Sequence, residues 1–120
     1  HLRTYAMETV IAEKFQAMVA LGRANSRMKD YYDVWMLLRT HEFVGDGLAR
    51  AIAATFARRE TEIPADMPDG LSEAFGADRA KELQWKAFVA NLQTNIPSLA
   101  EVVRDIAAEL LPHAEAARRR

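Results

Sequence analysis

The chain has 120 residues, half of them hydrophobic and 28% charged, which is the composition of one globular domain and excludes an intrinsically disordered chain. Because it contains no cysteine, a disulfide scaffold, a thiolate zinc site and a cysteine nucleophile are excluded. The net charge is only −1, and since no apolar run approaches the roughly 20 residues of a membrane span and no signal peptide opens the chain, we expect a cytoplasmic protein.

The N-terminal third predicts two helices. Apolar side chains recur at helical spacing over residues 7–21, and Gly22 is suited to end that helix. The mixed polar and apolar residues 1–5 are compatible with the end of a strand. After a polar linker, Ser26 is a candidate N-cap for a second helix over residues 28–41, whose wide apolar face predicts that it is largely buried.

The middle of the chain predicts a third helix and then an irregular segment. Residues 48–59 are rich in alanine and carry Leu48, Ile52 and Phe56 at fourfold spacing, with Asp46 as a candidate cap. Two prolines and a glycine in residues 60–70 break the pattern, and a short helical turn is predicted over residues 71–75.

The C-terminal third predicts two more helices. One covers residues 78–92, and the other begins at the capping box formed by Ser98 and Glu101 and runs to about residue 111. Pro112 is expected to end or kink it, with a resumed piece to residue 117. The whole chain, residues 1–120, is therefore predicted to be a single all-α domain, a compact bundle of about five helices.

The aromatic and histidine residues predict core packing rather than a site. Five large aromatic side chains fall on predicted inner faces and are read as core: Trp35, Phe56, Phe75, Trp85 and Phe88. The three histidines are far apart in sequence, and none has a histidine partner three or four residues away, so no metal site is predicted.

Lys14 is the first candidate functional residue. It lies in the middle of the first predicted helix, beside apolar positions. A lysine in such a place ordinarily extends its ammonium group to water, and that interpretation stays open. The alternative is a cation fixed in a cleft, where it can bind a phosphate as a point charge.

The start of the second helix holds the other candidates. Asp30 and Asp33 share a helical face, and such a pair can hold a divalent cation or act as a base, although an acid in a first turn also simply stabilises the helix. Arg27 and Lys29 make this neighbourhood basic. Lys29 and Asp33, four residues apart, can also pair with each other.

These two regions together resemble a known family. The stretches ETVIAEKFQAM (residues 8–18) and NSRMKDYYDVW (residues 25–35) closely resemble the AbiEii/AbiGii toxins, which are nucleotidyltransferase-like proteins of type IV toxin–antitoxin and phage abortive-infection systems. The similarity continues through AIAATFARR (residues 51–59) and QWKAF (residues 84–88), so that it covers most of the chain.

The resemblance implies a two-part enzyme of which this chain is the helical C-terminal half. In the family, a lysine thought to contact nucleotide phosphates matches Lys14, and an R-x-K-D motif matches Arg27, Lys29 and Asp30. The resemblance thus makes Lys14 and Asp30 the expected catalytic residues and Arg27 and Lys29 the expected phosphate-binding residues. It also implies NTP and Mg²⁺ as cofactors of the intact enzyme.

The chain departs from the family pattern because it contains neither a D-x-D metal pair nor a Gly-Ser loop. We therefore expect the catalytic N-terminal core to be absent, the chain to be inactive alone, and no cofactor to be bound to it. The expected partners are that core, an antitoxin, tRNA or a second copy. Two other functions stay open: a helical protein-interaction module without catalysis, and a nucleic-acid-binding domain that uses the basic residues of its first half.

Overall fold

The computed structural model describes residues 2–92 and 95–120. In these ranges the backbone forms six α-helices, five of them longer than two turns, and contains no strand. The helices are α1 (Leu2–Leu21), α2 (Met28–Thr40), α3 (Gly47–Arg58), α4 (Glu73–Ala77), α5 (Arg79–Val89) and α6 (Leu99–Arg118). The prediction of an all-α bundle is confirmed.

The first helix is longer than predicted. It begins at Leu2, so the strand expected in residues 1–5 is wrong over residues 2–5, while His1 lies outside the described residues. Five residues are too few to show a period, and the cooperative extension of a neighbouring helix decides their conformation. As predicted, the helix ends at Gly22, whose φ of +55° is a left-handed conformation that favours glycine.

The second helix starts in a different way from the prediction. Its cap residue is Arg27 rather than Ser26, and its C-terminal end is Thr40. The hydroxyl of Ser26 is not used for capping, because the turn before the helix is closed by Asn25, whose Oδ1 accepts a hydrogen bond from the Arg27 amide at 2.7 Å. An asparagine side chain that bonds the backbone two residues on is a common way to build such a turn.

The third helix begins after Asp46, as predicted, but the Asp46 side chain pairs with Arg50 instead of bonding a first-turn amide. The stripe of Leu48, Ile52 and Phe56 is buried. The following segment is irregular, also as predicted, and ends in a 3₁₀ turn over Asp69–Leu71. The short helix expected over residues 71–75 begins two residues later, where Ser72 caps it.

The last helix continues through its proline. Ser98 accepts a hydrogen bond from the Glu101 amide at 3.2 Å, which confirms the predicted capping box. Pro112 does not end the helix, which runs to Arg118 and so includes the resumed piece predicted to residue 117. Pro112 and Ala108 both lie on the exposed side, so the carbonyl that proline cannot bond is not sealed in the core.

The core lies where α3 packs against α1 on one side and α6 on the other, with α2, α4 and α5 also packed against α6. Four of the five aromatic residues predicted as core are buried, and Phe88 is partly buried against them. The last turn of α1 and the first turn of α2 are joined only by residues 22–27, which keeps the middle of α1 close to the start of α2. This arrangement positions the candidate site.

Candidate functional site

Lys14 and Asp30 meet across the α1–α2 junction. The Lys14 Nζ donates a hydrogen bond of 2.8 Å to Asp30 Oδ1. The two side chains keep 24% and 16% of their surface exposed, so that the pair is sheltered but open to solvent on one side. Sixteen residues separate them in the chain, and it is the return of the chain after Gly22 that brings them together.

Asp33 completes the arrangement from the next turn of α2. Its Oδ2 lies 3.6 Å from Lys14 Nζ and 2.7 Å from Lys29 Nζ. The sequence indicates only that Asp30 and Asp33 share a helical face. That both carboxylates turn toward Lys14 is a property of the tertiary structure. The sequence names Asp33 only as a partner of Asp30 on that face, and not among the expected catalytic or phosphate-binding residues.

Arg27 and Lys29 form the outer edge of the cluster. Their side chains are 61% and 73% exposed, and Arg27 Nη1 lies 4.0 Å from Asp30 Oδ2. The hydrogen bond and the charge of Asp33 raise the pKa of Lys29. The four residues singled out in the sequence thus lie together on one surface.

The cluster of Lys14, Arg27, Lys29, Asp30 and Asp33 carries three positive and two negative charges. Its net charge is therefore +1, which favours an anion. Lys14 has three N–H donors and spends one on Asp30, since its contact with Asp33 is longer than a hydrogen bond. A donor remains for an incoming oxygen, and the exposed edge adds the Arg27 and Lys29 groups.

The residues present fit phosphates better than they fit a metal ion. Among the described residues, no group of three histidine or acidic side chains is placed to hold a metal. Both carboxylates of the cluster are already occupied by lysine ammonium groups. Mg²⁺ prefers several oxygen ligands in octahedral geometry, and the cluster by itself does not supply them.

The cluster is separate from five cavities in the described part of the chain. These cavities have volumes of about 300 to 630 Å³, and none of the five is lined by a cluster residue. The largest is formed by the start of the irregular segment with α3 and the end of α6. A phosphate at Lys14 would therefore be enclosed only if another polypeptide or a nucleic acid covered this surface.

Two buried polar residues beneath the cluster were not found from the sequence. Asn25 is 1% exposed and Lys81, on α5, is 8% exposed. Lys81 Nζ donates a hydrogen bond of 2.7 Å to the backbone carbonyl of Asn25. In the sequence, Lys81 has the pattern of an ordinary surface lysine, and no spacing rule connects it to a residue 56 positions away.

Comparison with known proteins gives one result. A family model described as "Nucleotidyl transferase AbiEii toxin, Type IV TA system" matches residues 1–117. No curated protein and no solved structure matches the chain. In the part of the chain that the structure describes, no helix is both long and apolar enough to cross a membrane.

Proposed function

This chain belongs to the AbiEii family of nucleotidyl transferase toxins from type IV toxin–antitoxin systems, and we propose that its helical domain supplies the phosphate-contacting side of a nucleotidyl transfer site. Lys14 contacts the triphosphate or the departing pyrophosphate, and Arg27 and Lys29 contact phosphates at the edge. A nucleotidyltransferase core outside this sequence holds the nucleotide and the metal ions.

The observation that carries this proposal is the 2.8 Å pair between Lys14 and Asp30, part-exposed and inside a cluster of net charge +1. A lysine that merely snorkels to water needs no carboxylate from another helix. Here two carboxylates hold the ammonium near one position, and a fixed cation stabilises developing negative charge at a smaller reorganisation cost than a mobile one.

In nucleotidyl transfer, the acceptor hydroxyl oxygen bonds to the α-phosphorus while the bond from that phosphorus to the pyrophosphate oxygen breaks. Negative charge grows on the leaving group, and a cation such as Lys14 offsets it. Mg²⁺, when bound, offsets further charge on the phosphates. Asp30 aims Lys14 through its hydrogen bond, and the alternative role for Asp30 is to accept the acceptor's proton.

The first test uses the chain itself and inorganic tripolyphosphate, with binding measured by isothermal titration calorimetry. Lys14→Met should weaken binding about tenfold, the value of one charge-assisted hydrogen bond. Lys86→Met is the matched control, because it removes one exposed lysine from α5 without touching the cluster. Equal weakening by both variants would show that only overall charge matters and would contradict the proposal.

The second test uses the intact toxin and follows the transfer of a labelled nucleotide to its acceptor. Lys14→Ala and Asp30→Ala should each abolish transfer while circular dichroism shows an unchanged fold. Asp30→Ala should also cost the small amount of helix stability that a first-turn acid provides. Full activity of the Lys14 variant would remove this residue from the site.

The exposed cations at the turn between α1 and α2 favour an RNA acceptor such as tRNA. Arg23 and Arg27 lie in this turn and Lys29 follows it, all exposed. Phosphate contacts of this kind weaken steeply with salt. A gel-shift of tRNA at low salt that disappears at higher salt is the expected result, and no shift at low salt would count against an RNA acceptor.

The toxin–antitoxin family also suggests an antitoxin partner. The outer face of α1 carries Val10 and Leu21, which are 39% and 40% exposed. Light scattering of the chain alone and with its antitoxin would distinguish a monomer, a self-associated form and a complex.

A further inference from the structure

The turn that leads into α2 is organised by one buried asparagine. The Asn25 amide donates a hydrogen bond of 3.1 Å to the Gly22 carbonyl, and its Oδ1 accepts one of 2.7 Å from the Arg27 amide. Its own carbonyl accepts the Lys81 bond of 2.7 Å. Asn25 therefore links the end of α1, the start of α2 and the helix α5.

Lys81 has a second contact besides its hydrogen bond to Asn25. Its ammonium group lies 5.5 Å from the centre of the Phe75 ring, and the whole residue is buried. A buried ammonium is costly unless it is bonded, so the Asn25 carbonyl and the aromatic face hold it in this position. The position of the turn is consequently tied to the α4–α5 region, which does not contribute a charged group to the cluster.

The first turn of α2 depends on this turn for its placement. Within the described residues, the cap position Arg27 makes no side-chain hydrogen bond to the helix start. The first amides after the turn are bonded to the turn itself, Met28 to the Ser26 carbonyl and Asp30 to the Arg27 carbonyl, each at 3.0 Å. Asn25 is therefore linked to Asp30 through Arg27, whose amide bonds Asn25 Oδ1 and whose carbonyl accepts from the Asp30 amide.

We infer that Asn25 and Lys81 are positioning residues for the phosphate site: together they fix the register of the first turn of α2 so that Asp30 reaches Lys14. This inference rests on the proposed function only in its prediction about tripolyphosphate binding. The effect of Asn25 and Lys81 on the contact between Lys14 and Asp30 is tested without a ligand. Neither residue belongs to the cluster, and neither touches Lys14 through an observed contact.

The asparagine side chain supports a positioning role. Its Oδ1 is used by the turn, whereas its Nδ2 has no hydrogen-bond partner among the described residues and is buried. An unpaired buried donor lowers stability. Asn25 therefore lowers stability through its unpaired Nδ2, while its Oδ1 supplies the hydrogen-bond acceptor at the start of α2. A serine at this position can supply a weaker acceptor.

The experiment compares Lys81→Met, Asn25→Ser and Asn25→Ala with Lys81→Arg, which keeps a donor for the Asn25 carbonyl. Trp35→Phe is the matched control. It removes the 3.2 Å bond from Trp35 Nε1 to Asp105, which ties a later turn of α2 to α6. Thermal unfolding ranks the variants by stability, so that loss of the site can be separated from loss of the fold.

The readout without a ligand is the acetylation rate of Lys14 relative to Lys86 in the same molecule, measured by mass spectrometry. Release of Lys14 from Asp30 should raise this ratio about tenfold in Lys81→Met and Asn25→Ala, the worth of one charge-assisted hydrogen bond. Asn25→Ser should lie between these variants and the parent. Lys81→Arg should restore the parent ratio, and Trp35→Phe should leave it unchanged.

The second readout is tripolyphosphate affinity, which should fall in the same variants and in the same order. An unchanged Lys14 ratio in Lys81→Met, or an equal change in Trp35→Phe, would overturn the positioning role. If the ratio changes as expected while the parent shows no Lys14-dependent tripolyphosphate binding, the positioning role stands and the proposed phosphate contact fails.

Discussion

Tyr31 illustrates how a single buried hydroxyl links the site to the core. It is completely buried, and its hydroxyl donates a hydrogen bond of 2.7 Å to the Gly70 carbonyl. Burial, and to a lesser degree the charge of Asp30, raise the pKa of Tyr31. Above pH 10 the phenol ionises in the unfolded chain but stays protonated in the folded one, so the folded state loses stability as pH rises.

Tyr31→Phe should therefore have two separate effects, a loss of stability at neutral pH and a weaker pH dependence at high pH. At pH 7 the variant should be less stable by about 1–2 kcal/mol, because the Gly70 carbonyl is left unpaired. Between pH 9 and pH 11 its free energy of unfolding should fall less than that of the parent, since the phenol no longer titrates. Urea unfolding at each pH measures both effects, and parallel pH profiles would contradict the argument.

Two glycines differ in what a methyl group would meet. A Cβ at Gly76 would lie 2.9 Å from the Ala100 Cα, where α4 crosses α6, whereas one at Gly47 would meet only the end of the Glu8 side chain. Gly76→Ala should cost about 1–3 kcal/mol, because backbone cannot give way. Gly47→Ala should cost less than about 1 kcal/mol, since a carboxylate can rotate and alanine favours the helix. Similar melting temperatures would refute this difference.

The site was predictable from the sequence to the extent that it depends on residue type and helical spacing. A family resemblance singled out Lys14 and the start of α2, and the structure brings the side chains of Lys14 and Asp30 together at 2.8 Å. Asn25 and Lys81 were not predictable, because their contact joins residues far apart in the chain through a backbone carbonyl. Because every residue has a backbone carbonyl, the residue type at position 25 does not reveal that its carbonyl accepts a hydrogen bond from Lys81.

At the scale of the helices, α6 continues through Pro112, which the sequence predicts to end or kink it. Pro112 cannot donate to the Ala108 carbonyl, and its ring crowds that group. Pro112→Ala should therefore stabilise the chain by about 1–3 kcal/mol, the difference between proline and alanine inside a helix. Pro97→Ala is the control, because Pro97 precedes the helix and should give no gain. Denaturant unfolding measures both, and an equal gain would contradict the explanation.

The two serines before α2 and α6 provide a matched pair. Ser98 bonds the Glu101 amide, whereas the cap position of α2 is Arg27 rather than Ser26. Ser98→Ala should cost about 1 kcal/mol of stability. Ser26→Ala should be nearly neutral, since its hydroxyl does not cap the helix. Thermal unfolding of both variants tests this, and a comparable loss in each would be inconsistent with the observed caps.

Helices were predictable because apolar periodicity persists over ten or more residues, and their ends were less so. The interiors of α1, α2, α3, α5 and α6 all fall inside predicted segments. The errors lie at helix starts, at residues 2–5 and at Ser26, where one or a few residues decide the boundary. At these positions, contacts with the rest of the fold decide the conformation, because the helix preferences of single residues are weaker than such contacts.

The whole molecule separates its charges along the chain, and the cluster lies in the half that is net positive. Residues 1–59 contain nine basic and six acidic residues, against four and eleven in residues 60–117. The cluster's outer cations are well exposed, so salt should screen them strongly. Tripolyphosphate affinity should fall several-fold as NaCl rises from about 50 to 500 mM. Calorimetry at several salt concentrations measures this, and salt-independent binding would point to an enclosed site elsewhere.

The sheltered ammonium of Lys14 has a consequence for how fast a ligand can leave. A phosphate that arrives there does not strip water from a bare ion, because the lysine already has counter-charges in Asp30 and Asp33. Under the proposed function, the phosphate oxygen takes a donor that Asp30 leaves free, so Lys14 keeps its hydrogen bond to Asp30 while the ligand is bound. Because the two carboxylates offset part of the lysine's charge throughout, the contact is easy to reverse, as the release of pyrophosphate at the end of each turnover would require.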